Sequence, residues 1–539
     1  MFSNKDNINI LTALLVKHGV RHAVVCPGSR NAPIVHNLHE MENTGNMTCY
    51  PVTDERSAGF CAIGISQATG STVAVCVTSG SALLNLAPAV AEAKYQHIPI
   101  IIISADRPAA WIDQLDGQTL PQPTVFGNFV AKCVSLPEPK NNEEHWHCNR
   151  MVNEAILSCQ RHGCAPVHIN VPISEPLFDF SVEQLPDERM IENLSANTAC
   201  CPPQLIEAVS QSPRPILVVG QTKNDCRLQS AINALRKYLI VIQEPLSGTA
   251  IHFDDVLKCA ADTSIYLPHL IIYIGDTLVS KPMRRFLRTA TSAQQWRISE
   301  SGDIEDCFQH LTCTIEGNPA DVLAMLANSI TPNAAAKGYR ELWNSALKEA
   351  KELTNKFEPQ FSNGFAVKLF ENELTAYGGD CAVHYANSTA IRHACRYADH
   401  YVYCNRGVNG IEGSLSTAAG FSLATDKRVY CVIGDLSFFY DQNALWNTRL
   451  RDNLRILLLN DGCGGIFNSL PGLEQSSALN DYIAASHHTS AQGICAAHNI
   501  TYIRATDVRE TENAVKRLFS DGDSTHPILV EIILACKAG

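Results

Sequence analysis

The sequence predicts an α/β protein of three doubly wound domains with mainly parallel sheets, the first and third alike. Three observations carry that prediction. Apolar runs at 72–77, 98–103, 429–433 and 454–459 are continuous rather than alternating, as strands covered on both faces are. Such runs end in Gly, Ser, Asn or Asp and lead into helical segments, the rhythm of parallel strands joined by crossover helices. Two stretches carrying proline, about 178–204 and 331–338, divide the 539 residues into parts of domain size, read as 1–180, 200–332 and 340–539.

Composition bounds the function. Hydrophobic residues make up 45% and charged residues 18%, an ordinary globular balance. The start lacks the basic-then-apolar layout of a signal peptide and no apolar run reaches the length of a membrane span, so the expected location is the cytoplasm without membrane insertion. The 21 cysteines are odd in number, scattered through apolar runs and free of Cys-x-x-Cys pairs, which argues for reduced thiols and against a disulfide framework or zinc site. A formal net charge of −12 disfavours nucleic acid as a partner. If the ligands are anions, cations must be gathered locally.

In chain order, an amphipathic helix is expected at 7–18 and a strand at 22–26, leading into Pro27-Gly28-Ser29-Arg30. A Gly-Ser turn before a helix with proline in its first turn offers unpaired N–H groups to an anion, and Arg30 adds a fork suited to a carboxylate. Glu55 stands at the mouth of a small-residue helix, 57–69. Thr78-Ser79-Gly80 follow the next strand, and Arg107 follows the strand 98–103, ahead of a loop containing Gln118. A strand at 165–172 closes the first domain. The middle domain is expected to hold strands at 216–219, 239–243 and 270–274. Its Gly220-Gln221-Thr222 turn lacks a dinucleotide-binding Gly-x-Gly-x-x-Gly.

The third domain repeats the layout of the first. After helices at 340–357 and 365–376, a strand at 381–385 runs into Asn387-Ser388 and Arg392. A strand at 400–403 runs into Arg406, Gly410 and Ile411, and a small-residue helix follows at 414–424. Each of Arg30, Arg107, Arg392 and Arg406 alone fits a solvated surface residue. Four at corresponding edges of two like domains suggest one clustered anion site. His487-His488, His18 and His22 lack partners at ligand spacing and are read as exposed or core-satisfied histidines.

The chemistry centres on 428–471. The apolar run 429–433 breaks at Gly434-Asp435, a helical segment with Phe439, Leu445 and Leu450 follows, and the run 454–459 ends at Asn460-Asp461-Gly462. Parallel strands joined by a crossover finish at one sheet edge, so Asp435 and Asp461 are expected to converge there. Two hard carboxylates beside glycine turns suit a Mg²⁺ that keeps part of its shell for phosphate oxygens. The same residue types also simply turn a chain after a strand.

Gly434-Asp435 with Asp461, inside LLLNDGCGGIF, resembles the signature of the thiamine-diphosphate-dependent enzymes. The form GDLS with GGIFNSLP resembles the menaquinone-pathway branch of that superfamily. The resemblance implies thiamine diphosphate with Mg²⁺ or Mn²⁺, and a carboligase that decarboxylates 2-oxoglutarate and adds the product to isochorismate. It implies that Glu55, in TDERSAG, bonds the aminopyrimidine. Ser79, Gly80, Gly410, Ile411, Gly434, Asp435, Leu436, Ser437, Asp461, Cys463, Gly464, Ile466 and Phe467 would contact the cofactor, with Asp435, Asp461 and the Cys463 carbonyl on the metal. Arg30, Arg107, Gln118, Lys281, Ser388, Arg392, Arg406, Phe467 and Leu470 would face substrate. Active sites would lie between subunits of a homodimer or homotetramer. Three places depart from that branch: Gly117 and Pro282 where Asn and Arg are common, and the pair Gly462-Cys463 after Asp461. Cysteine at 463 is compatible with a backbone ligand where its φ is negative. The rivals are another 2-oxo acid carboligase or decarboxylase of the same superfamily, and a non-catalytic relative.

Overall fold

A computed structural model describes residues 1–194, 200–520 and 525–534. It is an α/β structure of three sheets. The first holds β1 (His22–Val25), β2 (Thr48–Pro51), β3 (Val73–Val77), β4 (Ile100–Asp106), β5 (Lys132–Ser135) and β6 (Val167–Pro172). The middle one holds β7 (Pro215–Val219), β8 (Ile240–Gln243), β9 (Leu270–Ile274), β10 (Gln294–Ser299) and β11 (Leu311–Glu316). The third holds β12 (Cys381–Tyr385), β13 (Arg428–Gly434), β14 (Leu454–Asn460), β15 (Thr501–Ala505) and β16 (Ile528–Ile533). Every pairing among these strands is parallel.

The first sheet runs β2-β1-β3-β4-β6-β5 and the third β12-β13-β14-β16-β15, the same order without the outer strand. The middle sheet runs β11-β10-β9-β7-β8. The continuous apolar runs have the cause proposed for them. Val73, Val75 and Val77 pack into one core while Ala74 and Cys76 pack into another on the opposite face of the first sheet. Tyr430 and Val432 are divided in the same way from Val429, Cys431 and Ile433 in the third.

The first and third sheets are joined through two small-residue helices, Glu55–Thr69 and Ser414–Leu423. They cross so closely that a methyl group at Gly64 would overlap the carbonyl of Thr417, and one at Gly420 would overlap Cys61. Glycine at both positions is what lets the two backbones touch.

Two expectations are corrected. The strand expected at 400–403 is a single bridge between Tyr403 and His384, because Val402 N–H is drawn to the Pro245 carbonyl instead of a neighbouring strand. The crossover after β13 is not one helix. A short helix, Asp435–Tyr440, gives way to a 3₁₀ turn at Gln442–Leu445, since Asp441 turns its carboxylate onto Ser416.

Candidate active site

The register of β13 and β14 places Gly434 opposite Leu459, so the next residues of the two strands emerge at one edge. Asp435 and Asp461 approach closely enough there for the charge of Asp461 to act on Asp435. Burial, and then the neighbouring Asp461, push Asp435 up to about 7, and burial also raises Asp461. Asp435 accepts the backbone N–H of Leu436 at 2.6 Å and of Cys463 at 3.2 Å. Asp461 accepts from Asn363 Nδ2 at 3.1 Å. Gly462 takes the left-handed φ of 70°, which leaves Cys463 with a negative φ, the condition under which cysteine can present its carbonyl there.

Around this edge, Ser437 donates its hydroxyl to the Ile411 carbonyl, and Asn387 donates to the Gly410 carbonyl at 2.6 Å. Ile411 and Leu470 are exposed, at 39% and 41%. Phe467 lies in a 3₁₀ turn with its ring against Gly464, directly after Ile466. Ser388 has φ 72°, an uncommon backbone conformation for a serine, immediately before the helix Thr389–Tyr397 that carries Arg392.

Arg392 and Arg406 lie near enough for their charges to act on each other. Burial, and then the guanidinium of Arg406, with that of Arg284 further down, hold Arg392 below the usual arginine value. Arg406 is buried; it donates to Asn387 Oδ1 at 3.2 Å, and its Nε has no partner. Glu244, fully buried, accepts the N–H groups of Val279 and Ser280 at 2.7 Å each and so fixes the start of the helix that begins at the exposed Lys281.

The first-domain residues have partners of their own. Glu55 opens its helix directly after the cap Asp54 and accepts from Asn85 at 3.1 Å. Ser79 is buried, and Gly80, with φ 82°, donates its N–H to Gln122 and lies against the backbone of Gln118. Arg30 is buried on the Ile173 carbonyl at 3.0 Å and Glu175 at 3.3 Å. Arg107 pairs with Asp116 at 2.7 Å and with the Gly117 carbonyl. The structure therefore joins two of the four expected arginines, while Arg30 and Arg107 rest on carboxylates of the first domain.

Sequence reasoning missed Asn363, Arg284 and His487. Asn363 stands 98 residues from Asp461, and nothing local marks it. Arg284 lies one helical turn beyond Lys281 and was legible as a further cation. His487, read as an unremarkable histidine, lies 3.3 Å from Asp435. Its Nδ1 accepts from Thr489 N–H, so its proton sits on Nε2, facing that carboxylate. No helix among the described residues is long and apolar enough to cross a membrane.

Two family models match the chain. The thiamine pyrophosphate enzyme N-terminal TPP binding domain covers 8–126, and the C-terminal TPP binding domain covers 376–532. The chain is 42% identical to a 2-succinyl-5-enolpyruvyl-6-hydroxy-3-cyclohexene-1-carboxylate synthase of Bacteroides thetaiotaomicron, over 99% of this chain and 96% of the relative. Proteins of the same name from Bacteroides fragilis and Desulfotalea psychrophila are 43% and 36% identical, over 99% and 93% of this chain and 96% and 93% of the relatives. Similarity of this extent shows that the chain is a thiamine-diphosphate-dependent transferase and belongs to the 2-succinyl-5-enolpyruvyl-6-hydroxy-3-cyclohexene-1-carboxylate (SEPHCHC) synthase family.

Proposed function

We propose that this enzyme decarboxylates 2-oxoglutarate and adds the remaining four-carbon fragment, in a 1,4 sense, to isochorismate, giving SEPHCHC and CO₂ for menaquinone biosynthesis in the cytoplasm. The observation that carries the reading is the buried Arg406, with an unfilled Nε–H, beside Arg392. Two guanidinium groups close enough to act on each other's charge repel, and a carboxylate-rich substrate relieves that repulsion. Arg284 extends the same positive edge, on the helix that begins at Lys281. Arg30, Arg107 and Gln118 reach it from the first domain of a partner subunit, in a homodimer or homotetramer.

The residues present fit thiamine diphosphate and a divalent cation. Two neighbouring carboxyl groups whose proton affinity is raised by burial want a positive charge between them, and Asp435, Asp461 and the Cys463 carbonyl form an all-oxygen donor set suited to Mg²⁺ or Mn²⁺. Gly434 has open space where a side chain would stand, as a close-lying diphosphate requires. Leu436, Ser437, Gly464, Ile466 and Phe467 continue that wall. Domain 340–539 thus holds the diphosphate end, domain 1–180 the pyrimidine end through Glu55, Ser79 and Gly80, and 200–332 lies between them.

Bound thiamine diphosphate supplies the nucleophilic carbon and the electron sink for decarboxylation and carbon–carbon bond formation. The chain does the rest. Glu55 would hold a proton toward the aminopyrimidine, and Ile411, with Gly410, would supply an apolar contact to the cofactor. Ser388, Phe467 and Leu470 border the substrate, excluding water from the reacting carbon, while Arg392 and Arg406 orient its carboxylates.

The test is Arg392→Ala and Arg406→Ala. Each is expected to keep thiamine diphosphate affinity and to lose about 100-fold or more in kcat/KM for the two-substrate reaction. Unchanged kcat/KM in both variants overturns the substrate assignment.

A further inference from the structure

The backbone around Arg406 is gripped on both sides of that residue. Ahead of it, Asn405 donates Nδ2 to Thr417 Oγ1 at 3.0 Å, and Thr277 donates its hydroxyl to the Arg406 carbonyl at 2.9 Å. Behind it, the N–H groups of Gly407 and Val408 both end on the carboxylate of Glu92, at 2.7 Å each. Glu92 comes from the first domain, on the helix Ala87–Tyr95. The loop lies against that helix so closely that a methyl group at Gly407 would stand 2.8 Å from the Glu92 carbonyl.

Glu92 is 3% exposed, and the donors that meet it are uncharged: the two loop N–H groups and Gln96 Nε2. A carboxylate buried on uncharged donors is uncommon, because burial removes its hydration and no cation replaces it. The junction of the first and third domains is already made by the helices Glu55–Thr69 and Ser414–Leu423, at Gly64 and Gly420. What Glu92 adds is a fixed course for the chain directly after Arg406. Its Oε1 takes the N–H of Gly407 and its Oε2 that of Val408. Only an acceptor at both points can do this; a glutamine would turn an NH₂ group toward one of the two N–H groups.

The far end of the loop is held separately. Asn387 donates to the Gly410 carbonyl at 2.6 Å, directly before Ile411. Loss of the Glu92 grip therefore moves Arg406 and leaves the cofactor-side Ile411 in place. We infer that Glu92 is a positioning residue for the reaction: by taking the N–H groups of Gly407 and Val408 it holds the guanidinium of Arg406 where a substrate carboxylate meets it. The inference rests on the proposed function, in which Arg406 orients that carboxylate.

The experiment is a double-mutant cycle of Glu92→Gln with Arg406→Ala in the full chain, read as CO₂ release from 2-oxoglutarate with isochorismate, beside thiamine diphosphate affinity in the presence of Mg²⁺. Glu92→Gln alone is expected to lower kcat/KM about tenfold or more, with cofactor affinity unchanged within about twofold. In the Arg406→Ala background the same substitution is expected to cost less than about twofold, because the group it positions is gone. If Glu92→Gln does not fold, Gly407→Ala, which pushes the loop off the Glu92 helix, takes its place in the cycle with the same expected pattern. Losses that multiply in the double variant show Glu92 acting independently of Arg406 and overturn the inference. It is equally overturned by an unchanged kcat/KM, or by cofactor affinity falling as far as kcat/KM does, the mark of a general loosening between the domains. The reading of the reaction is checked apart from this by the native chain. Should that chain use pyruvate as its donor, the proposed reaction fails, and the same cycle with pyruvate decides the role of Glu92.

Discussion

Asn363, the first residue of the helix Asn363–Tyr377, donates a hydrogen bond of 3.1 Å to the carboxylate of Asp461 at the end of β14. In the proposed metal site this bond aims one Asp461 oxygen and leaves the other for the cation. Removing a residue that orients a ligand generally costs 10–100-fold in metal affinity. Asn363→Ala is therefore expected to raise the Mg²⁺ concentration needed for thiamine diphosphate binding by about tenfold or more. Fluorescence titration of cofactor against metal measures it, and an unchanged midpoint contradicts the orienting role.

Glu55 accepts from Asn85 and is only half-buried in the isolated chain, as a residue that completes its site against another subunit would be. Glu55→Gln keeps the shape and loses the acid. Exchange of the cofactor C2 proton, followed by NMR, is expected to slow by about 100-fold or more, with cofactor affinity little changed. Exchange at the native rate removes Glu55 from the proton path.

The contact of Gly64 with Thr417 joins the first and third domains at backbone distance. Gly64→Ala forces the two helices apart, and the expected loss is about 1–3 kcal/mol, read as a lower melting temperature. Gain of helix propensity would raise stability instead, so a higher melting temperature would show that the helices are not tightly apposed.

Asp441 is fully buried on Ser416, and burial pushes its carboxyl up to about 6 from an ordinary 3.8. Between those values the folded chain holds a proton that the unfolded chain has lost, so this group's contribution to stability falls as pH rises from about 4 to 6. Asp441→Asn can still pair with Ser416 and does not titrate. The variant is expected to gain stability relative to the native chain over that interval, by at most about 3 kcal/mol. Denaturant unfolding at the two pH values checks the sign.

Most strands buried on both faces were legible because their cause is local, whereas β16, apolar and covered on both faces, was not read. The 429–433 run is apolar at every position and the 454–459 run at every position but Arg455, and the acidic residues following them mark the sheet edge. The outer strands β2, β5 and β15 were not legible. They are short, part polar and half covered, so their sequences resemble loops. The break in the crossover after β13 follows from Asp441 meeting Ser416, 25 residues away. The same limit hid Asn363, whose meaning lies entirely in a long-range contact. Arg30 and Arg107 were legible as cations past strand ends, but their pairing with Glu175 and Asp116 depends on where two loops fold back.

The most direct test of the central claim is CO₂ release by the purified chain with thiamine diphosphate and Mg²⁺, with 2-oxoglutarate or pyruvate as donor, each with and without isochorismate. The proposed function predicts fast release only when 2-oxoglutarate and isochorismate are both present. Release from pyruvate regardless of isochorismate would leave the cofactor assignment standing and contradict the proposed reaction.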